Sequence, residues 1–379
     1  MMPWSKGQTC SRGPAQPNPV KPFFAVSALV RLMALGLVVL VLASLSPPVQ
    51  AQELLFKNIG TGRTSGAYFP VGGTIANIIS NPPGSRACED GGSCGVPGLI
   101  VVAQSTSGSV DNIRRMRLDR LDLAIVQADV AYGAVNPEDS VMGAANMANG
   151  PPPYPDLRAL SALYEESLHL VTLQSSGIRS LEDLAGLRVS LGEAGSGTLV
   201  TSTLVLEAAG LGEMDFQDYP MTPSEATDAL VAGALDAFFF FGGAPVQLIS
   251  HLADTTPISL VPIPEAIADR VNRQAPYLTP GLIRAGRYGN ERAVPTVAVS
   301  ALLVTRASLP DALAEEMTAA LWHPSSAAIL AKGPPQTRDL DIKRGVLGIP
   351  IPIHPGAITY YQKVGLFPST DGDVLSTPE

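Results

Sequence analysis

LRALSALYEESLHLVTL, residues 157–173, decides the fold. Its extended apolar pattern is broken only by Tyr164-Glu165-Glu166-Ser167. It reads as a strand that leaves one α/β lobe and enters another. Thr296–Val304 is a second long apolar segment and reads as the return strand. A chain that crosses twice between two α/β lobes builds a hinged clam. The expected boundaries are residues 52–165 for the first part of lobe I, 166–296 for lobe II, and 297–379 for the return strand and the rest of lobe I.

Working outward, short apolar runs alternate with helical patterns. Leu54–Ile59, Leu99–Ala103 and Leu123–Val126 read as strands, with helices behind them over Tyr68–Ser80 and Val110–Leu118. Beyond the crossing, Arg188–Leu191 and Ala237–Phe241 read as strands. Ser180–Ala185, Thr198–Ala209 and Pro223–Ala234 read as helices, the first opened by a Ser-x-x-Asp box and the third capped by Ser224. A helix over Asp311–Trp322 follows the return strand. This alternation predicts βαβ units and a mostly parallel sheet.

Four strand-to-helix turns are rich in Gly, Ser and Thr: Gly60–Gly66, Gln104–Ser109, Gln127–Asp129 and Glu193–Thr198. Ligands of open parallel sheets bind at the carboxyl ends of the strands. Helix starts there offer free N–H groups and a partial positive charge, so they hold anions without Lys or Arg. The alternative is that these Ser and Gly residues only cap helices. Gly60, Gly62 and Gly66 resemble a dinucleotide fingerprint with one residue too many, but the next strand ends in Gln104 rather than an acid. GxSxG, HExxH and GxxxxGK[ST] are absent. Of the four His residues, none pairs with another at ligand spacing. His169, on the crossing strand near Tyr164 and Glu165, either faces the cleft or, as a lone His there more often does, makes a structural hydrogen bond.

The chain opens with Lys6, Arg12, Lys21 and Arg31 and no acid, then the 14-residue apolar run Leu32–Leu45, then Ser46-Pro47-Pro48 and a small-residue site at Ala51. These are the parts of a secretory signal, expected over residues 1–51. The run is short for a spanning helix, which takes about 20 residues; an uncleaved anchor is the alternative. The net charge of -9 disfavours sequence-independent nucleic-acid binding. Of the three cysteines, Cys10 leaves with the leader. Cys88 and Cys94 frame a Gly-rich loop and read as a local disulfide in an oxidising compartment. A CxxC metal or redox reading fails, because the spacing is five residues and no His lies nearby.

Six motifs, in order, resemble the TAXI solute-binding proteins, the extracytoplasmic receptors of TRAP transporters. They are IGTGRTSGAYFPVGG (59–73), QSTSGSVDN (104–112), LDLAIVQAD (121–129), GSGT (195–198), VPTV (294–297) and HPGAI (354–358). The resemblance covers about residues 54–366. Where many relatives carry Gly-Gly-Thr after the first Gly-Thr, this sequence has Arg63, which adds a cation to the cleft rim.

The resemblance implies a type II periplasmic-binding-protein fold and a small organic anion as ligand, of the glutamate, glutamine or 2-oxoglutarate type. It implies a periplasmic monomer without cofactor or catalytic step, whose partner is a TRAP permease. Carried onto this sequence, it places Gly62, Thr64, Ser65, Tyr68, Ser107, Ser109, Gln127 and Asp129 on the first lobe's side of the cleft. Gly195, Ser196, Gly197, Thr198 and Phe241 fall on the second, and Tyr164 and Glu165 at the crossing. The rival readings are a binding protein for an ABC importer or a sensor, and an exported hydrolase using Ser196 or Ser65.

Overall fold

The computed structural model describes Met33 and residues 54–143 and 148–368. The expected leader and Cys10 lie outside the described residues. Among the described residues no helix is long and apolar enough to cross a membrane.

The first βαβ units form as the apolar runs foretell. β1 (Leu55–Gly60) leads through a turn into α1 (Tyr68–Ile79). A small two-stranded sheet follows, β2 (Ser80–Asn81) with β3 (Val96–Pro97). β4 (Leu99–Gln104), α2 (Ser109–Arg117), β5 (Leu123–Gln127) and α3 (Ala128–Val135) complete this region. β6 (Leu157–Leu173) is the 17-residue crossing strand.

Then come β7 (Arg188–Ser190), α4 (Gly197–Ala209), β8 (Gln217–Asp218), α5 (Pro223–Val231) and β9 (Ala237–Gly242). Residues 243–293 carry no element expected from the sequence. They form α6 (Gln247–Thr255), β10 (Ile258–Leu260), α7 (Glu265–Gln274) and β11 (Thr279–Ile283). β12 (Val294–Arg306) is the return strand, followed by α8 (Asp311–Leu321), α9 (Ser326–Lys332) and α10 (Pro355–Lys363).

One ten-stranded sheet runs in the order β4-β1-β5-β12-β6-β9-β7-β8, with β10 on β6 and β11 on β12. Its two ends are built alike. At one end the first strand, β1, lies between β4 and β5 in parallel. At the other, β7 lies between β8 and β9 in parallel. Each third strand then meets a long strand antiparallel: β5 meets β12, and β9 meets β6. The long strands pair with each other antiparallel, from Ala298 opposite Ser167 to Arg306 opposite Leu157. This is the α/β architecture with two crossing strands read from the sequence.

Apolar burial explains why the elements stay in place. α1, α8 and α10 cover one face with Ile75, Ile79, Met317 and the fully buried Tyr361. The other face and the centre are filled by residues such as Ile113, Val126, Val200 and Leu302. Phe238, Leu230, Ile249 and Tyr288 pack a third cluster around β9.

Two local readings change. Ser180–Ala185 is not an α-helix but a short 3-10 turn over Glu182–Leu184, because Asp183 spends its carboxylate on the backbone N–H groups of Arg179 and Ser180. The cap of α5 is Thr222, not Ser224. Thr222 accepts from the Glu225 N–H, and Glu225 reaches back to the Thr222 N–H at 2.9 Å, a reciprocal capping box. Cys88 and Cys94 are joined in a disulfide. The fold also supplies the histidine that the neighbouring sequence lacks, since His323 lies beside both sulfurs.

Candidate functional site

The carboxyl ends of β1, β4, β5, β7 and β9 converge on one cavity of about 60 Å³. An ordered water needs roughly 10–15 Å³ of such space, so it holds on the order of five waters or a small solute. A dinucleotide does not fit.

Gly62, Tyr68, Ser107, Ser109, Gln127, Ser196, Gly197, Thr198 and Phe241 all line this cavity. Each comes from a strand end or a helix start, where the backbone turns toward the cleft. Six expected residues do not line it. Thr64 and Ser65 sit on the outer side of their turn, Thr64 exposed. Asp129 lies fully buried beneath the cavity, accepting from Thr201 Oγ1 at 2.8 Å. Burial pushes its carboxyl up to about 6. Gly195 turns away, its carbonyl accepting from the Asp111 N–H at 2.9 Å.

Tyr164 and Glu165 open instead on a separate cavity with Arg284, Arg287 and Arg344. The crossing-strand carboxylate at the first cavity is Glu166, not Glu165. Successive strand side chains point to opposite faces, so only one of two adjacent glutamates can face the cleft. Glu165 is exposed, whereas Glu166 is 1% exposed and accepts from the Tyr68 hydroxyl at 2.6 Å. Burial pushes the Glu166 carboxyl up to about 8, against the Tyr68 hydrogen bond, which lowers it. Glu166 is therefore mostly a neutral acid at pH 7. Burial also raises the Tyr68 phenol well above its ordinary range.

The turns from the two ends of the sheet press together. Arg63 donates from Nε to both carboxylate oxygens of Glu193, at 2.8 and 2.9 Å, and its guanidinium also reaches Ser107 Oγ at 3.3 Å. The hydrogen bond from Glu193 raises the Arg63 pKa. Gln127 Nε2 donates to Thr201 Oγ1 at 3.0 Å. A Cβ on Gly108 would lie 3.5 Å from the Ser196 Cα, and one on Gly197 would lie 1.8 Å from Gln127 Oε1. The cleft is closed.

Ser196 is the N-cap of α4. Its hydroxyl accepts from the Leu199 N–H at 3.1 Å and donates to the Glu193 carbonyl at 2.7 Å. The capping role weighed against anion contact is thus occupied. Ser190 is different. It lines the cavity, is 1% exposed, and its Oγ has no hydrogen-bond partner. A buried unpaired hydroxyl is costly unless a ligand meets it. Sequence reasoning missed Ser190, Glu193 and Glu166; an apolar strand ending in a polar residue was the available signal for Ser190.

His169 plays no part in this cavity. Its Nδ1 donates to the carbonyls of Ser167 and Phe240, and Tyr288 hydroxyl, itself accepting from the Val246 N–H, donates to Nε2 at 2.9 Å. Burial lowers its pKa to about 4, so it stays neutral. Among the described residues no histidine lines the cavity.

The sequence profile of the NMT1-like family matches residues 59–365. The chain belongs to the NMT1-like family. That match takes in every cavity-lining residue named above. Solved structures similar to this family member include the periplasmic aliphatic sulphonate binding protein SsuA from Escherichia coli. It is 14% identical, with 81% of this chain and 78% of that one covered and a TM-score of 0.38. XAC2383 from Xanthomonas citri bound to ATP is 12% identical, with 82% and 95% covered and a TM-score of 0.43. An ancestral arginine-binding protein bound to arginine is 14% identical, with 73% and 97% covered and a TM-score of 0.42. The fold of this chain is mixed α/β, with one strand order repeated at both ends of its sheet.

Proposed function

We propose that this protein is the extracytoplasmic solute-binding receptor of a TRAP-type transporter, taking a small organic anion of the carboxylate class and presenting it to a membrane permease. One observation carries the reading: a small cavity of mixed polar and apolar lining lies between strand-end turns from both ends of the sheet, which the Arg63–Glu193 pair ties together. The two lobes would be residues 52–165 with 297–379, and residues 166–296. The anionic group would meet the N–H groups at the start of α4, which carry a partial positive charge. Ser190 Oγ and the protonated Glu166 would add hydroxyl donors. Arg63 is already engaged by Glu193, so it sets closure more than charge neutralisation. Binding needs no catalytic step. The solute gains hydrogen bonds from both lobes only when they close, so it shifts the population toward the closed form.

Native mass spectrometry of the purified protein, then thermal-shift screening of carboxylates, tests the reading. A solute at 100 times its Kd adds about 2.7 kcal/mol of stability. No stabilisation by any carboxylate would sink the ligand class. Uptake in reconstituted membranes driven by an ion gradient without ATP supports the TRAP partner. A strict ATP requirement assigns the receptor to an ABC importer.

A further inference from the structure

The loop between β2 and β3 carries a second cluster, remote in the sequence from its third member. Cys88 and Cys94 have Cα atoms 4.9 Å apart. The turn between α8 and α9 lies against them. Ser325 Oγ is 2.9 Å from Cys94 Sγ and 4.0 Å from Cys88 Sγ, and it is 2.8 Å from His323 Nδ1. One ligand atom from each of Cys88, Cys94 and His323 lies within 4.8 Å of the other two. The cysteines are half-buried and His323 is exposed, so a cation can enter from solvent.

We propose that reduction of the Cys88–Cys94 bridge converts this corner into a site for a thiophilic divalent cation of the zinc(II) type, held by both thiolates and His323. A dithiol reductant supplies two electrons and two protons. The S–S bond breaks, two S–H bonds form, and the reductant leaves as its own disulfide. The cation then displaces both thiol protons to solvent while an imidazole nitrogen donates its lone pair.

The geometry supports this donor set. Tetrahedral zinc has Zn–S near 2.3 Å and Zn–N near 2.0 Å, which puts its ligand atoms roughly 3.5–3.8 Å apart. Freed sulfurs move apart from bonding distance, and the imidazole moves in by about an ångström. Side-chain rotation covers that. Ser325 holds the ring near the sulfurs: its backbone N–H donates to His323 Nδ1 at 3.2 Å, and its Oγ lies 2.8 Å from the same nitrogen. The fourth position faces solvent and takes water, as at open zinc sites. The two closed forms differ in what they tie. The disulfide pins the loop to itself, whereas the cation would also fasten it to the α8–α9 turn.

The full chain, reduced with a dithiol and freed of it anaerobically, is titrated with cobalt(II) as the probe. The expected result is one equivalent bound, with a thiolate-to-cobalt charge-transfer band and tetrahedral visible absorption, both bleached by zinc(II). The oxidised chain should show neither. Cys88→Ser should abolish the band. His323→Ala, an exposed change, should keep the fold by circular dichroism and weaken cobalt by at least about tenfold, since loss of even an outer partner costs about 10–100-fold. A reduced chain whose two thiols both react with a maleimide, yet which shows no stoichiometric band, overturns the proposal. Unchanged affinity in His323→Ala overturns the donor set.

Discussion

Tyr68 on α1 donates its hydroxyl proton to Glu166 Oε2 on β6 at 2.6 Å, with both residues almost wholly buried. The pair holds a carboxyl group inside the cleft that titrates near pH 8. The carboxyl has an ordinary value near 4.5 when the chain unfolds. Its raised folded pKa means that folding takes up a proton between these values. The stability it contributes is full below pH 4.5 and is lost as pH rises through 8. Glu166→Gln keeps an acceptor for Tyr68 and removes the titration. The unfolding free energy of the parent should fall relative to that of Glu166→Gln from pH 5 to pH 8.5. The difference should approach, at most, about 5 kcal/mol at about 1.4 kcal/mol per pKa unit. Parallel pH profiles would show that Glu166 is ionised in the folded chain at neutral pH.

Breaking the Arg63–Glu193 pair should loosen the closed form without unfolding the protein. The Arg63 side chain is 42% exposed, so solvent screens the pair and its coupling should be about 1 kcal/mol or less. Arg63→Ala, Glu193→Gln and the double variant form a cycle. Small-angle scattering of the unliganded protein should show a larger radius for each single variant, with less than additive change in the double. Identical radii throughout would mean that the pair does not hold the cleft shut.

Ser196 should behave as a helix cap in stability and as a cavity wall in binding. Ser196→Ala should cost about 0.5–2 kcal/mol in unfolding, and Ser196→Asp nearly nothing, because Asp caps as well as Ser. With the identified solute, the order should reverse. The Asp carboxylate at the start of α4 should repel an anionic ligand and weaken it more than the Ala change does. If Ser196→Asp binds the solute as tightly as the parent, no anion sits at that helix start.

Gly197→Ala puts a methyl group 1.8 Å from Gln127 Oε1 and 3.0 Å from Ser109 Oγ. Gln127 is buried and tied to Thr201, so it has little room to yield. The first residue of α4 tolerates Ala by itself, so the local helix should form normally. The cost should fall on closure: solute affinity should drop at least about tenfold, which is about 1.4 kcal/mol, with the unliganded melting temperature changed far less. Calorimetry and melting on the same sample separate the two effects.

The strands and their terminal turns were legible because each is a short apolar run that stops at Gly, Ser or Gln, as Ile59-Gly60 and Val126-Gln127 show. The crossing strand was legible from its length. Which glutamate of the Glu165-Glu166 pair faces the cavity was not, since a strand's phase is fixed by its register, here Val299 opposite Glu166. Arg63 was read as a cation at the rim, but its partner lies 130 residues on, and no local pattern announces such a pairing. Ser190 was passed over because its neighbours made it look like any strand end. His323 gives no sign of its place either: its distance from Cys88 in the sequence conceals its position beside it in space.

The long strands also dictate an order of assembly. Residues 167–260 contain β7, β8, β9, β10 and the stretch of β6 that pairs with β9, so this end of the sheet can form its ladders from one continuous piece of chain. The other end pairs β1 with β4 and β5 from one piece too, but it cannot close its link to the long strands that way. β5 waits for Ala301–Val304 of β12, and α1 waits for α8, both supplied near the end of the chain. Such distant pairings make that end the slow one. A chain threaded from its amino terminus should therefore complete the middle of its sequence first. The half that begins the protein should be the last to set, and truncations that remove β12 should leave β5 paired with β1 on one edge and unpaired on the edge that β12 covers.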